Sequence, residues 1–251
     1  MNTKNQPIRK ITADTHSPGL SILLHLLPGL LIGVGYYLLV PVVGRFGFPS
    51  ITALNLAALL FLIPIELGIL YYHQQTSSAD SWKDIILYRR PLSWGQFLLW
   101  VPVIFLSSAL ILTLLTPISN YLQTFFAWIP ETYRLAMGLG GGYSKSVLII
   151  TYTFSFLTTT LAAPIVEELY FRGYLMPRMP ALGGWAPVVH GALFALYHTW
   201  SPWLVFSRTL ALLPLIYIVR WKKNLYLGMT AHCLLNAIDV VIGIQFILQM
   251  T

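Results

Sequence analysis

The sequence predicts an all-α protein, a polytopic membrane helix bundle of seven or eight spans. Three observations carry this expectation. Hydrophobic residues make up 57% of the 251 positions and charged residues only 9%, against about 25% charged in soluble domains. Apolar runs of about 20 residues recur along the chain, long enough to cross a bilayer. These runs are continuous and do not alternate with period two, which argues against a membrane β-barrel.

Spans are expected near 20–43, 51–72, 93–117, 146–165, 182–199, 203–220 and 225–249. The last is read as one helix or two short ones. The polar, mildly basic start carries Lys4, Arg9 and Lys10. The apolar run after it is too long for a signal-peptide core and reads as a retained first span. Three parts follow from this pattern: a tail at 1–18, N-terminal membrane helices with their loops at 19–145, and a chemistry-bearing core at 146–251. Pro28, Pro41, Pro49, Pro64, Pro102 and Pro117 punctuate the early spans, as membrane helices tolerate. The stretch Ser81 to Tyr88 is amphipathic and reads equally as a surface-lying segment or a plain loop. Gly138 to Gly142 reads as a hinge, since no Gly-Lys-Ser/Thr follows to make a phosphate loop.

Basic residues fall in the tail, then at Lys83, Arg89 and Arg90, then at Arg172 and Arg178, then at Arg220, Lys222 and Lys223. Counting spans, all of these lie on one side, which the positive-inside rule makes cytoplasmic. The opposite loops hold Arg45, then Arg134 and Lys145 with Glu131. The net charge of +7 is therefore a topology signal. No dense basic patch with interleaved aromatics is present, so a nucleic-acid partner is not expected. A single cysteine, Cys233, excludes an internal disulfide and a multi-thiolate metal site; it reads as a small buried apolar residue.

Of eight acidic residues, two are adjacent at Glu167 and Glu168, directly after an apolar run. An ionisable group near membrane depth is costly and marks a candidate functional site. Glu168 and Arg172 stand four apart, Glu first, and are expected to pair on one helix face. Glu167 diverges from that face by about 100°. That leaves an unpaired carboxylate, the form a general base takes. Two further pairs at helical spacing are Phe194 with His198 and His232 with Asn236. His232 and Asn236 could equally serve only as hydrogen-bonding glue between helices, and His198 as a lone structural hydrogen-bonding histidine. His190 competes with His198 on the same span, while His25 and His73 have no polar companions at matching spacing and read as structural or interfacial. Pro164, just before the Glu pair, is expected to kink the helix or start a new one.

Glu-Glu-x-x-x-Arg, then Phe-x-x-x-His, then His-x-x-x-Asn, in that order over roughly 146–240, resembles the CPBP (Abi) membrane proteases. That family is similar to the type II CaaX prenyl endopeptidase. The resemblance implies an intramembrane endopeptidase with its site in a cavity open toward the cytoplasm. Glu167 would activate the attacking water with help from His198. His232 and Asn236 would stabilise the oxyanion, and Glu168, Arg172 and Phe194 would support them. A base for water and donors for the oxyanion suffice for peptide hydrolysis without a cofactor.

A zinc alternative uses Glu167, His198 and His232 as three ligands with water in the fourth position, although no His-Glu-x-x-His is present. No Gly-x-Ser-x-Gly and no nucleophilic cysteine arrangement points to an acyl-enzyme. The implied partners are the lipid bilayer and a membrane-associated peptide or protein substrate, prenylated or not. The implied location is a bacterial plasma membrane with the N-terminus cytoplasmic. Two other classes remain. One is a non-catalytic binding or immunity protein of the same fold, since some of this family is linked to self-immunity against peptide bacteriocins. The other is a transporter or proton relay, for which an inverted repeat would speak; the sequence shows none.

Overall fold

The structure, a computed structural model, describes residues 15–77, 79–179 and 182–250. The expected tail at 1–18 falls mostly outside these residues; its last members place Ser17 as the cap of the first helix, its hydroxyl accepting from the Leu20 N–H. The described residues are helices and loops, joined by one isolated bridge between Arg89 and Asn224. In chain order the main helices are α1 (Pro18–Arg45), α2 (Ser50–Thr76), α3 (Trp94–Leu114), α4 (Thr116–Thr124), α5 (Lys145–Arg178), α6 (Ala186–Tyr197), α7 (Val205–Lys222) and α8 (Leu225–Gln249).

Six helices among the described residues are long and apolar enough to cross a membrane, fewer than the seven or eight expected. The difference lies at 182–199. There the chain forms α6, of only twelve residues, which is about 18 Å long and short of a bilayer's hydrocarbon core. The segment near 225–249 is one helix. Ser81 to Tyr88 resolves into a single turn, Trp82–Ile85, closed by a capping box between Ser81 and Asp84, with extended chain beyond.

The bundle is apolar outside and sets polar groups within an apolar core. Leu38, Leu98, Leu106 and Leu248 face outward, while Asn55, Glu66, Thr151, Ser155, Glu167, Glu168, Arg172 and His190 are buried. In lipid, backbone and side-chain polar groups must find partners within the protein, and a ladder between α2 and α5 supplies some. The Asn55 amide donates to Ser155 Oγ at 2.8 Å, and Thr159 Oγ1 donates to Asn55 Oδ1 at 3.1 Å. Six long apolar helices make this an integral membrane protein.

The basic segments meet at one end, as the charge pattern predicts. The His16 N–H donates to the Arg178 carbonyl, and Arg178 Nη1 donates to the Ile85 carbonyl. The Arg90 N–H donates to the Lys223 carbonyl, and Arg220 reaches the Gly183 carbonyl. α6 starts at this end and stops half-way through the bundle.

Two helices carry π-helical turns, and each is tied to a proline. In α5 the turn spans Phe156–Ala162, and the Ala163 N–H bonds the Thr158 carbonyl, five residues back. The next bond in that register would join residue 164 to the Thr159 carbonyl, but Pro164 has no N–H to give. In α2 the turn spans Ala58–Leu62, the Ile63 N–H bonds the Ala58 carbonyl, and Pro64 follows. The two turns pack against each other. Pro164 was expected to kink or restart its helix near 165. α5 does not restart there but runs on to Arg178, 34 residues in all, with the π turn leading into the proline. The Glu pair therefore lies inside the helix and the bundle, not past a helix end.

Candidate active site

Three elements build the candidate site: the middle of α5, the C-terminal end of α6 and the first half of α8. Glu167 and Glu168 sit where α-helical backbone passes into a second π stretch, Glu168–Leu175. Both are buried, at 4% and 0% exposure. Their positions diverge around the helix, as expected, yet both carboxylates reach one imidazole. His232 Nδ1 lies 3.1 Å from Glu168 Oε1, and its Nε2 lies 3.8 Å from Glu167 Oε2. The ring fits between them because its two nitrogens face opposite ways.

Glu168 is held from its other side by Arg172, whose Nη1 stands 3.2 Å from Oε1 with both side chains fully buried. The approach is a charge contact without hydrogen-bond alignment, since the guanidinium nitrogens have no hydrogen-bond partner among the described residues. The guanidinium lies over the Phe194 ring, 4.1 Å from its centroid. A cation in this position is attracted by the ring's negative face, the more so where water is absent. This gives Phe194 its supporting place.

Phe194 also meets His198 edge-on, with centroids 4.8 Å apart. His198 ends α6 at φ −79° and ψ 62°, and the Thr199 N–H bonds back to the Tyr197 carbonyl at 2.8 Å. This is an inverse γ-turn with His198 at its centre. His198 Nδ1 donates to the Phe194 carbonyl at 2.8 Å, so its Nε2 is the nitrogen left for other work. The turn rests on α1, where Thr199 Oγ1 donates to the Gly29 carbonyl at 2.9 Å. A Cβ on Gly29 would strike the Tyr197 carbonyl, and one on Gly33 would strike Thr199 Oγ1. The Gly29-x-x-x-Gly33 spacing is the close helix approach that membrane bundles use.

Asn236 is one turn beyond His232, but its amide is engaged. Nδ2 donates at 2.8 Å to the Thr159 carbonyl, the acceptor that Pro164 leaves without a backbone donor. One amide hydrogen remains. His190, the competitor of His198, is paired instead with His25, at 2.9 Å between rings; its Nδ1 donates, because His25 Nδ1 already donates to the Ser21 carbonyl. His73 packs on the Tyr174 ring at 5.0 Å. Cys233 is partly buried rather than fully buried.

Glu66, with its donor Tyr197, and Arg208 and Gly228 enter the site from outside the motifs. Glu66 on α2 is fully buried and accepts from the Tyr197 hydroxyl at 2.8 Å. Arg208 on α7 donates to Ser201 Oγ at 3.1 Å and interacts electrostatically with Glu167. A single acid or arginine inside an apolar run was the available signal for each. Gly228, one turn before His232, admits the Glu168 carboxylate, and a Cβ there would fall on Oε2. The series Gly228, His232, Asn236 at spacing four was the signal for that one.

Among the described residues no three His, Cys, Asp or Glu side chains converge as metal ligands. The trio Glu167, His198 and His232 thus does not converge as a zinc ligand set in this arrangement. Two apolar cavities, of about 470 and 430 Å³, share Phe126 and Pro202. The larger reaches Thr199, beside His198, and is also lined by Tyr37 and Tyr133. None of the motif side chains lines either cavity.

No curated protein and no solved structure matches the chain significantly. A family model does match, over residues 149–238, and its description is type II CAAX prenyl endopeptidase Rce1-like. That stretch contains Glu167, Glu168, Arg172, Phe194, His198, His232 and Asn236, and excludes Glu66. The part of the chain that carries the three motifs is therefore similar to the Rce1-like family.

Proposed function

We propose that this protein is an intramembrane endopeptidase that hydrolyses a peptide bond by direct attack of water. The observation that carries this reading is the division of labour between the paired acids. Glu168 is committed to Arg172 and His232, whereas Glu167 Oε2 stands 3.8 Å from His232 with no direct hydrogen bond. Glu167 is thus the carboxylate free to take a proton from water. His198 Nε2, unused by the turn that holds the ring, helps to orient that water. As water oxygen bonds to the carbonyl carbon, Glu167 takes the proton and later delivers it to the departing amine.

The developing oxyanion needs donors placed beforehand. His232, steadied by Glu168 at Nδ1, turns Nε2 toward Glu167 and offers a ring N–H to the oxyanion. The second amide hydrogen of Asn236 supplies another. Every group required comes from side chains, so the metal-free mechanism is preferred over a zinc ligand set that does not converge.

The basic end of the bundle is assigned to the cytoplasm on the positive-inside rule, and a bacterial plasma membrane suits that assignment. The family's description names a prenyl endopeptidase, so a lipidated peptide is the first substrate to test. The test uses purified protein in detergent, prenylated and unprenylated peptides, wild type against Glu167→Gln, with and without a strong zinc chelator. Cleavage that requires Glu167 and survives chelation is the expected result. Cleavage by Glu167→Gln removes the assigned base, chelator-sensitive cleavage favours the metal, and no cleavage by the wild type favours a binding or immunity protein.

A further inference from the structure

Glu66 is the one buried acid of the site that the hydrolytic scheme does not use, and it lies outside the family match. It is fully buried at mid-bundle on α2, two residues after Pro64. Its Oε1 accepts from the Tyr197 hydroxyl at 2.8 Å, while Oε2 has no hydrogen-bond partner among the described residues. Tyr197 immediately precedes His198, and its hydroxyl also lies against Glu167. A phenol carries one proton and can donate it to one acceptor at a time. Two carboxylates therefore compete for one donor.

We propose that Glu66 is a positioning residue that draws the Tyr197 proton away from Glu167 and so leaves the Glu167 carboxylate unencumbered for water. This rests on Glu167 being the base. A carboxylate that already accepts a charge-assisted hydrogen bond is a weaker base, because the bond must be given up or weakened when the proton arrives. Glu66 removes that handicap only while it is the better acceptor. A neutral amide at position 66 is a poorer acceptor than a carboxylate, so the Tyr197 hydroxyl would turn to Glu167. The buried acid thus has a use that an amide could not fill, which accounts for an ionisable group at membrane depth.

The scheme makes an unusual demand, that removing the donor should rescue removal of the acceptor. Glu66→Gln should lower kcat about tenfold or more, the worth of one hydrogen bond to a charged group, with KM within about twofold. Adding Tyr197→Phe should restore kcat to within about threefold of wild type, since no phenol remains to encumber Glu167. A packing role for Glu66 predicts the opposite, a double variant at least as impaired as the single.

A second readout is independent of turnover. The infrared carboxylate stretch of Glu167, identified as the band lost in Glu167→Gln, should shift in Glu66→Gln and return in the double variant. Tyr197→Phe alone should leave the band in place, and serves as the check if Glu66→Gln does not fold. A band that ignores Glu66→Gln, a band displaced by Tyr197→Phe, or a double variant as slow as Glu66→Gln would each overturn the proposal. Should the band behave as expected in a protein that cuts no peptide, the competition for the proton stands and the protease reading falls.

Discussion

Arg172 is the charge on which the buried site balances, and its removal separates what stabilises the fold from what performs the chemistry. The guanidinium is fully buried, 3.2 Å from Glu168, and it interacts with Glu167 and Glu66 as well. Arg172→Met would leave three carboxylates facing one another without that cation. Breaking a buried pair by removing one partner costs about 3–5 kcal/mol, and loss of the stacked cation on Phe194 adds up to about 2 kcal/mol. For a chain of this size that lowers Tm by on the order of 10 °C.

Glu168→Met should cost less, because Arg172 keeps two other acids. The double variant Glu168→Met/Arg172→Met removes both charges and fills the space with apolar atoms, and apolar replacement of a buried ion pair is commonly neutral or better. It should recover at least half of the Tm lost by Arg172→Met. Peptide cleavage should not recover, because His232 Nδ1 has lost the carboxylate that orients its ring. The assay is thermal unfolding in detergent beside initial rates of cleavage. A double variant no more stable than Arg172→Met would show that the two charges are not an energetic unit. A double variant with wild-type rates would show that Glu168 does not orient His232.

Gly228→Ala should displace the Glu168 carboxylate, with overpacking of about 1–3 kcal/mol and a lower kcat, read by the same two assays. Gly29→Ala should press on the Tyr197 carbonyl and distort the His198 turn, so cleavage should fall further than Tm does; wild-type kinetics would remove α1 from the seating of His198. Asn236→Leu should leave the Thr159 carbonyl without its donor, at about 1–3 kcal/mol, visible in thermal unfolding even for a protein already inactivated by Glu167→Gln.

Charge and hydropathy made most of the bundle legible. The spans near 20–43, 51–72, 203–220 and 225–249 match helices to within a few residues, and the basic segments do gather at one end. The span at 182–199 was not legible as a half-length helix. An apolar run reports burial, and a helix buried in protein looks the same as one buried in lipid. The motif residues were legible from spacing and kind, and five of them, Glu167, Glu168, Arg172, Phe194 and His232, are joined by short contacts. Asn236 was read as an oxyanion donor or as glue between helices, and half of its amide is spent on the carbonyl that Pro164 leaves open. That use depends on a π register which helix spacing alone does not reveal. Glu66 was legible only as a lone acid in an apolar run, with no spacing to match, because its partner Tyr197 is 131 residues away.

The π turns at Ala58–Leu62 and Phe156–Ala162 give the site a dependence on residue count. A π turn holds one more residue than the α-helix it interrupts, so everything after it is rotated about 100° around the axis, as though a residue had been inserted. The bearings of Glu66 and Glu167 are thus stored as an arithmetic excess in two helices. Substitution scanning preserves that excess at every position and would pass over it. Deleting a single residue from 156–162 would unwind the turn and swing both acids of α5 off His232, while the apolar length of the span hardly changes. Related chains should therefore tolerate exchange of side chains in these two turns far better than a gap.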